Sequence, residues 1–260
     1  RFEQTHALQT IAGVKSRCYD VATLKPKLGV LVVGTGRCGT GARKVCEWMG
    51  LTEFSPSKVR SLSGCPDTGW FSVLGTSDIV TRIGGGRYQK AEYRDYGKER
   101  YMSSFLSYLD TGLVDVLLYT PYWDDRYPIV LGEDDFRSRM GLPWMIGDIT
   151  CDVNGSLWCT QAATTIDEPA VTYDADSHSF VPGVVSGGTT VMAVDNLPCQ
   201  LPSDATEHFS ALLMDHVPAL ATLDRRNSLQ TSGLSPVLQR ATIVYNGELT
   251  SGYRYLEEYL

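Results

Sequence analysis

Residues Gly29–Gly50 read GVLVVGTGRCGTGARKVCEWMG, and this stretch decides the fold. Its first part, LGVLVVG from Leu28 to Gly34, is a short continuous apolar run. That pattern suits a parallel strand buried on both faces. ARKVCEWM follows, with Ala42, Val45, Cys46 and Met49 at helical spacing and Gly50 as a natural stop. Between strand and helix, Gly34, Gly36 and Gly39 fit G-x-G-x-x-G. In such a loop the first glycine makes the tight turn and the second lets a pyrophosphate approach the backbone. The third lets helix and strand pack closely, and the helix N-terminus offers free N–H groups. The context therefore predicts a dinucleotide cradle. The competing reading is a packing turn that binds nothing.

The fingerprint places a ribose-binding acid about 20 residues further on, at the end of the next strand. Here that place falls near Phe54 and Ser55, after Glu53, within EFSPSKVRS. Ser55, Ser57, Lys58 and Arg60 suit a 2′-phosphate, which a carboxylate would repel and hydroxyls and cations attract. NADPH is therefore expected over NADH. The bland alternative is a solvated loop. The missing acid also counts against an S-adenosylmethionine site.

Working outward, EQTHALQTIAGVKSRCYDV predicts an amphipathic helix burying Leu8, Ile11, Ala12 and Val14, broken before Pro26. LTEFSP predicts the second strand; the stretch to about Ser104 is Gly- and Tyr-rich and gives no clear elements. GGGRYQKAEYRDYGKERY, residues 84–101, reads as a polar surface excursion with a helix starting near Lys98. GLVDVLLYTPYW and PWMIGDITCDV predict buried strands, and DDFRSRM a short helix between them. TIDEPAVTYDADSHSFVPGVV predicts an edge hairpin, and TTVMAVDNLP a further strand. SDATEHFSALLMDHVPAL predicts one long helix with Asp204 and Glu207 in a capping box and an apolar stripe of Phe209, Leu212, Leu213, His216, Val217 and Leu220. The tail predicts two short helical pieces around Asn246-Gly247. Alternating strands and helices imply an α/β fold, a doubly wound, Rossmann-like, mostly parallel sheet with helices on both faces.

The 260 residues carry a net charge of −7, with 43% hydrophobic and 20% charged residues. A nucleic-acid or anionic-membrane partner is disfavoured, and no apolar run approaches the roughly 20 residues of a spanning helix. Seven irregularly spaced cysteines without C-x-x-C suggest reduced thiols, hence a cytosolic or mitochondrial matrix compartment. The first residue is Arg1, which suggests a fragment whose targeting region lies upstream.

Polar residues at strand ends mark further candidates, because ligands of such sheets sit there. Tyr119, Thr120 and Pro121 end one buried strand, and Asp148, Ile149 and Thr150 another. Asp195 and Asn196 interrupt an apolar strand, where an acid must be paired or solvated. The competing readings are a packed aromatic turn at Tyr119–Trp123 and turn and cap chemistry at Asp148–Asp152, while Asp195-Asn196 is read as an active-site edge. Asp174, Asp176 and His178 alternate, but a hairpin tip explains them better than a metal site. His208 and His216 fall on the long helix, and no Ser-His-Asp or Cys-His set is present. No metal site is expected.

YGKERYMSSF, YDADSH, VDNLPCQLPSDATEHF and LSPVLQRATIVYNGEL resemble the lysine–2-oxoglutarate reductase portion of the bifunctional aminoadipic semialdehyde synthases. GTGRCGTGA also resembles the lysine-forming saccharopine dehydrogenases. The resemblance runs from about Pro26 to the C-terminus. It implies condensation of L-lysine with 2-oxoglutarate and reduction by NADPH to saccharopine, in a cleft between two domains like those of alanine dehydrogenase. By it, Gly34, Gly36, Arg37, Cys38 and Gly39 face the pyrophosphate. Tyr119 to Pro121 and Asp148 to Thr150 lie near the nicotinamide, and Asp195 and Asn196 border the substrate cleft. The family's acid–base Lys and His belong to an N-terminal domain that no segment here matches. The expected organisation is thus a linker helix over 1–27, a cofactor domain over 28–234, and a segment over 235–260 returning to the missing domain. Self-association through the face left by that domain fits the same picture. Two other classes remain in play: a nucleotide-binding module without turnover, and a Rossmann-like transferase.

Overall fold

A computed structural model of the chain describes residues 10–138 and 141–260, save the side chains of residues 19–24. Leu8, Arg139 and Met140, which the sequence places in helices, lie outside the described residues. The chain forms two compact units, one ending at Leu201 and one spanning Pro202–Leu260. The boundary expected near Ser235 falls inside the second unit.

The first unit is an α/β sheet structure. Its strands are β1 (Gly29–Val33), β2 (Thr52–Glu53), β3 (Trp70–Leu74), β4 (Val80–Arg82), β5 (Tyr101–Ser103), β6 (Val116–Tyr119), β7 (Met145–Asp148), β8 (Val171–Asp174), β9 (Ser179–Pro182) and β10 (Thr189–Met192). Eight of them form one sheet in the order β2-β3-β1-β6-β7-β10-β8-β9. All neighbours are parallel as far as β10; β8 and β9 add an antiparallel edge hairpin.

β1 shows why the apolar run is continuous. Leu31 and Val33 enter one core with Leu117, Phe105 and Phe136, while Val30 and Val32 enter a second with Cys46 and Phe71. Side chains alternate across a strand, so burial on both faces demands an apolar residue at every position. The helix Arg37–Trp48 covers the second face through Ala42, Cys46 and Met49. The helices Leu106–Leu109 and Glu133–Arg137 cover the other.

The two strands that follow β1 in the chain are not laid down in sequence order. β2 is not the neighbour of β1; β3 stands between them, in register with β1 from Gly29↔Trp70 to Val33↔Leu74. β3 buries Trp70, Phe71 and Leu74, whereas both residues of β2 are exposed. Burying each large apolar side chain is worth about 1.5–3 kcal/mol, so the apolar strand takes the interior place. The Gly- and Tyr-rich stretch thus contains the inner strand β3, a two-stranded sheet of β4 and β5, and a helix at Lys90–Tyr96 rather than one starting near Lys98. Further upstream, Ile11 and Ala12 of the helix Ile11–Leu24 are exposed, and its buried contact is Cys18.

In the second unit the predicted long helix is two. Pro202–Met214 is followed by Val217–Ala221, because Pro218 has no N–H with which to continue the first. Asp204 lies within the first turn, not at the cap. Phe209, Leu212, Leu213, Val217 and Leu220 are exposed, so the apolar stripe is not used for packing as expected. The tail holds the helix Pro236–Ala241, then β11 (Val244–Tyr245) and β12 (Glu248–Leu249) as a hairpin. Asn246-Gly247 is its two-residue turn, with both residues at positive φ. A 3-10 segment, Ser251–Tyr259, follows.

Candidate functional site

The glycine loop emerges from the carboxyl end of β1. The Gly34 N–H donates to the Leu74 carbonyl at 2.8 Å, tying the turn to β3. Thr120 ties it to β6: its N–H and hydroxyl donate to the Val33 carbonyl at 2.9 and 2.7 Å. Each glycine answers to a different constraint. Gly34 has φ +114, and a Cβ there would lie 2.2 Å from Thr120 Oγ1. At Gly39 a Cβ would lie 1.9 Å from the Gly34 carbonyl oxygen, so only glycine lets the helix start this close to the strand. Gly36 is the opposite case: a Cβ would meet nothing within 4 Å. The fold does not need a glycine at position 36, and the backbone there stands open to approach. Arg37 and Cys38 are exposed on the first turn of the helix, which has no side-chain cap and no acid in that turn.

This opening leads to a cavity of about 570 Å³. Gly34, Thr35 and Gly36 form its floor, with Thr120, Pro121 and Tyr122 after β6 and Thr76 after β3. The outer wall is Tyr88, Lys90, Tyr93, Arg94 and Tyr127, all missed by the sequence reading. The wall is braced. Tyr93 stacks on Tyr127 at 4.9 Å and meets Tyr88 at 5.6 Å. Behind it, Glu92 accepts two bonds from Arg82, at 2.8 and 3.0 Å, one from Arg100 at 2.7 Å and one from the Tyr101 hydroxyl at 2.8 Å. These donors, Arg82 first, hold the Glu92 carboxyl down at about 2. The repeated tyrosines are visible in the sequence, but only their convergence on the glycine loop gives them meaning.

The candidates at the end of β7 are held differently. Asp148 pairs with Tyr119 in register and is buried. Its Oδ2 accepts the Thr160 hydroxyl at 2.6 Å, and its Oδ1 accepts the Cys151 N–H at 3.1 Å. Burial pushes its carboxyl above the usual range. The Tyr119 hydroxyl accepts the Ser156 hydroxyl at 2.8 Å. The Ile149 N–H donates to the Tyr119 carbonyl, and the Thr150 hydroxyl to the Pro121 carbonyl, both at 2.8 Å. Tyr119, Asp148, Ile149 and Thr150 therefore fix the loop that bears Thr120 and Pro121, and do not line the cavity. Asp195 and Asn196 are exposed just beyond β10 on the same sheet edge.

Ser55, Ser57 and Lys58 stand apart. They follow β2, one strand removed from β1, and do not line the cavity. Ser55 caps the helix Pro56–Arg60 by accepting the Lys58 N–H at 3.2 Å, Ser57 meets Ser55 at 3.1 Å, and Lys58 lies over the Phe54 ring at 3.3 Å. Glu53 pairs with Arg43 at 2.7 Å. The expected ribose position is displaced because β3 occupies the place next to β1.

At the edge hairpin, the Tyr173 hydroxyl and His178 Nδ1 lie 3.0 Å apart, and Asp174 accepts bonds from its own turn. Among the described residues, no cluster of His, Cys, Asp and Glu suits a metal ion, and no helix is long and apolar enough to cross a membrane.

No family model matches the chain. Curated proteins do. The mitochondrial alpha-aminoadipic semialdehyde synthases of Rattus norvegicus and Mus musculus are each 30% identical over 280 residues, covering 96% of this chain. The alpha-aminoadipic semialdehyde synthase of Arabidopsis thaliana is 29% identical over 267 residues, covering 94%. The chain spans 29% of the length of the rodent proteins and 24% of the plant protein. Over nearly all of its length, this chain is similar to one portion of the alpha-aminoadipic semialdehyde synthases.

Proposed function

We propose that the chain is the cofactor-binding portion of an oxidoreductase of lysine degradation, one that joins L-lysine to 2-oxoglutarate and reduces the product to saccharopine with NADPH. The observation that carries this reading is Gly36: sterically free in the fold, and opening onto the cavity at the carboxyl edge of the sheet. The similarity to the aminoadipic semialdehyde synthases supports the pathway, and the names of the mammalian relatives support a mitochondrial matrix location.

The residues present fit the cofactor. The backbone from Gly34 to Gly39 takes the pyrophosphate, helped by the uncapped N–H groups at Arg37 and Cys38. Thr76 takes the adenosine side, and Thr120 and Pro121 the nicotinamide side. Asp148, Ile149, Thr150 and Tyr119 keep that second wall in place. Asp195 and Asn196 border the cleft where lysine, 2-oxoglutarate and saccharopine meet an N-terminal domain supplied by the rest of the protein. When bound, NADPH supplies the hydride. The acid–base groups of the reaction come from that other domain, and residues 235–260 return toward it.

The test is turnover by the full-length protein. NADPH oxidation that requires both L-lysine and 2-oxoglutarate and yields saccharopine supports the proposal. NADPH binding without turnover identifies a nucleotide-binding module instead. Binding of S-adenosylmethionine in place of a dinucleotide contradicts both.

A further inference from the structure

A second cavity, of about 380 Å³, adjoins the first. Arg60, Ser77, Thr81, Arg82, Ser104 and Ser107 line it, and no lining residue is a carboxylate. Tyr88 lines both cavities, and Ser77 directly follows Thr76 of the first. The two spaces therefore meet beyond the carboxyl end of β3, the strand next to β1. In a dinucleotide laid across the glycine loop, the adenosine ribose falls over that neighbouring strand.

The two arginines of this cavity differ. Arg82 is committed: its Nε and Nη2 bind Glu92, and its Nη1 reaches the Gly85 carbonyl at 3.3 Å. Arg60 is held but not neutralised. Its guanidinium lies 4.3 Å over the Tyr108 ring, and its Nη2 donates to the Asp78 carbonyl at 2.5 Å. Among the described residues, no carboxylate pairs with it. The nearby Asp78 carboxylate turns away to accept the Gly75 N–H at 2.8 Å. A planar cation with N–H groups to spare, beside hydroxyls and without a carboxylate partner, suits a phosphate monoester.

We propose that this second cavity receives the 2′-phosphate of NADPH and that Arg60, with Ser77, sets the preference for NADPH over NADH. The proposal rests on the glycine loop being a dinucleotide cradle. Of the residues expected to read this phosphate, Arg60 alone reaches the cavity; Ser77 takes over the hydroxyl role expected of Ser55 and Ser57.

The experiment titrates this chain with NADPH and NADH as wild type, R60A, R60K and S77A. R60A should weaken NADPH about 10- to 100-fold, the loss of a charge-assisted contact, and leave NADH within about twofold. R60K, which keeps the charge without the fork, should recover part of the loss, and S77A should weaken NADPH by a smaller factor. Equal losses for both dinucleotides, or an unchanged NADPH preference in R60A, would overturn the assignment while leaving the cradle intact. A wild type that binds neither dinucleotide would overturn the cradle and this assignment with it.

Discussion

Two loops leave the same edge of the sheet and are built in opposite ways. The loop after β1 exposes backbone: Gly36 faces open space, and the helix that follows has no side-chain cap. The loop after β7 closes on itself: Asp148 is buried, both its oxygens accept bonds, and Thr150 is turned to a backbone carbonyl. Unmet polar groups around a cavity are the mark of a binding surface, while met ones, buried, are the mark of a brace. Position at the carboxyl edge does not separate the two roles. Hydrogen-bond accounting does.

The largest effect is expected within the glycine loop itself, at Gly39. Gly39→Val puts side-chain atoms where the Gly34 carbonyl already stands, and should leave no folded protein on a denaturation curve. A well-folded Gly39→Val chain would mean that strand and helix pack less closely than described. Next, Asp148→Ala should cost about 2–4 kcal/mol in urea unfolding, from two lost hydrogen bonds and their stranded donors. NADPH affinity should change by no more than about threefold. Loss of binding with stability unchanged would move Asp148 from the brace to the site.

The charge on Asp148 sharpens the point further. Its carboxyl is raised by burial, so the folded chain keeps this proton to a higher pH than the unfolded chain does. The stability associated with that proton is present at low pH and is lost as pH rises from about 3.8 through the folded value. Asp148→Asn cannot titrate, so the wild-type advantage over it should shrink across that window. An advantage that grows with pH would reverse the assigned sign. The smallest effect is expected at the outer wall. Glu92→Gln weakens the hold on Arg82, Arg100 and Tyr101, and should lower NADPH affinity by roughly three- to tenfold. Unchanged affinity would show that the tyrosine wall needs no brace.

The parts legible in the sequence were those where local pattern and burial coincide. β1 is apolar throughout because both faces are covered, and the spacing of the three glycines reflects backbone geometry alone. β6, β7 and β10, all inside the sheet, were legible on similar grounds. The order of strands was not, because β3 gains its place by out-burying β2, a competition between segments well separated in the chain. The outer wall of the cavity was also hidden. Tyr88, Tyr93 and Tyr127 sit in polar, glycine-rich surroundings with no periodicity, and only the fold gathers them. The stripe on Pro202–Met214 misled in the other direction: its spacing is that of a packed helix, yet Phe209 and Leu212 are exposed.

Calorimetric titration of the wild-type chain and Gly36→Val with NADPH decides whether the loop at Gly36 is a phosphate cradle. Because a Cβ at Gly36 meets nothing within 4 Å beyond its chain neighbours, and its φ of −78 suits any residue, the variant should melt with the wild type. It should also bind NADPH at least about 100-fold more weakly, since the side chain fills the place of the pyrophosphate. A Gly36→Val chain that binds NADPH as tightly as the wild type would reduce the glycine loop to a packing turn and contradict the account.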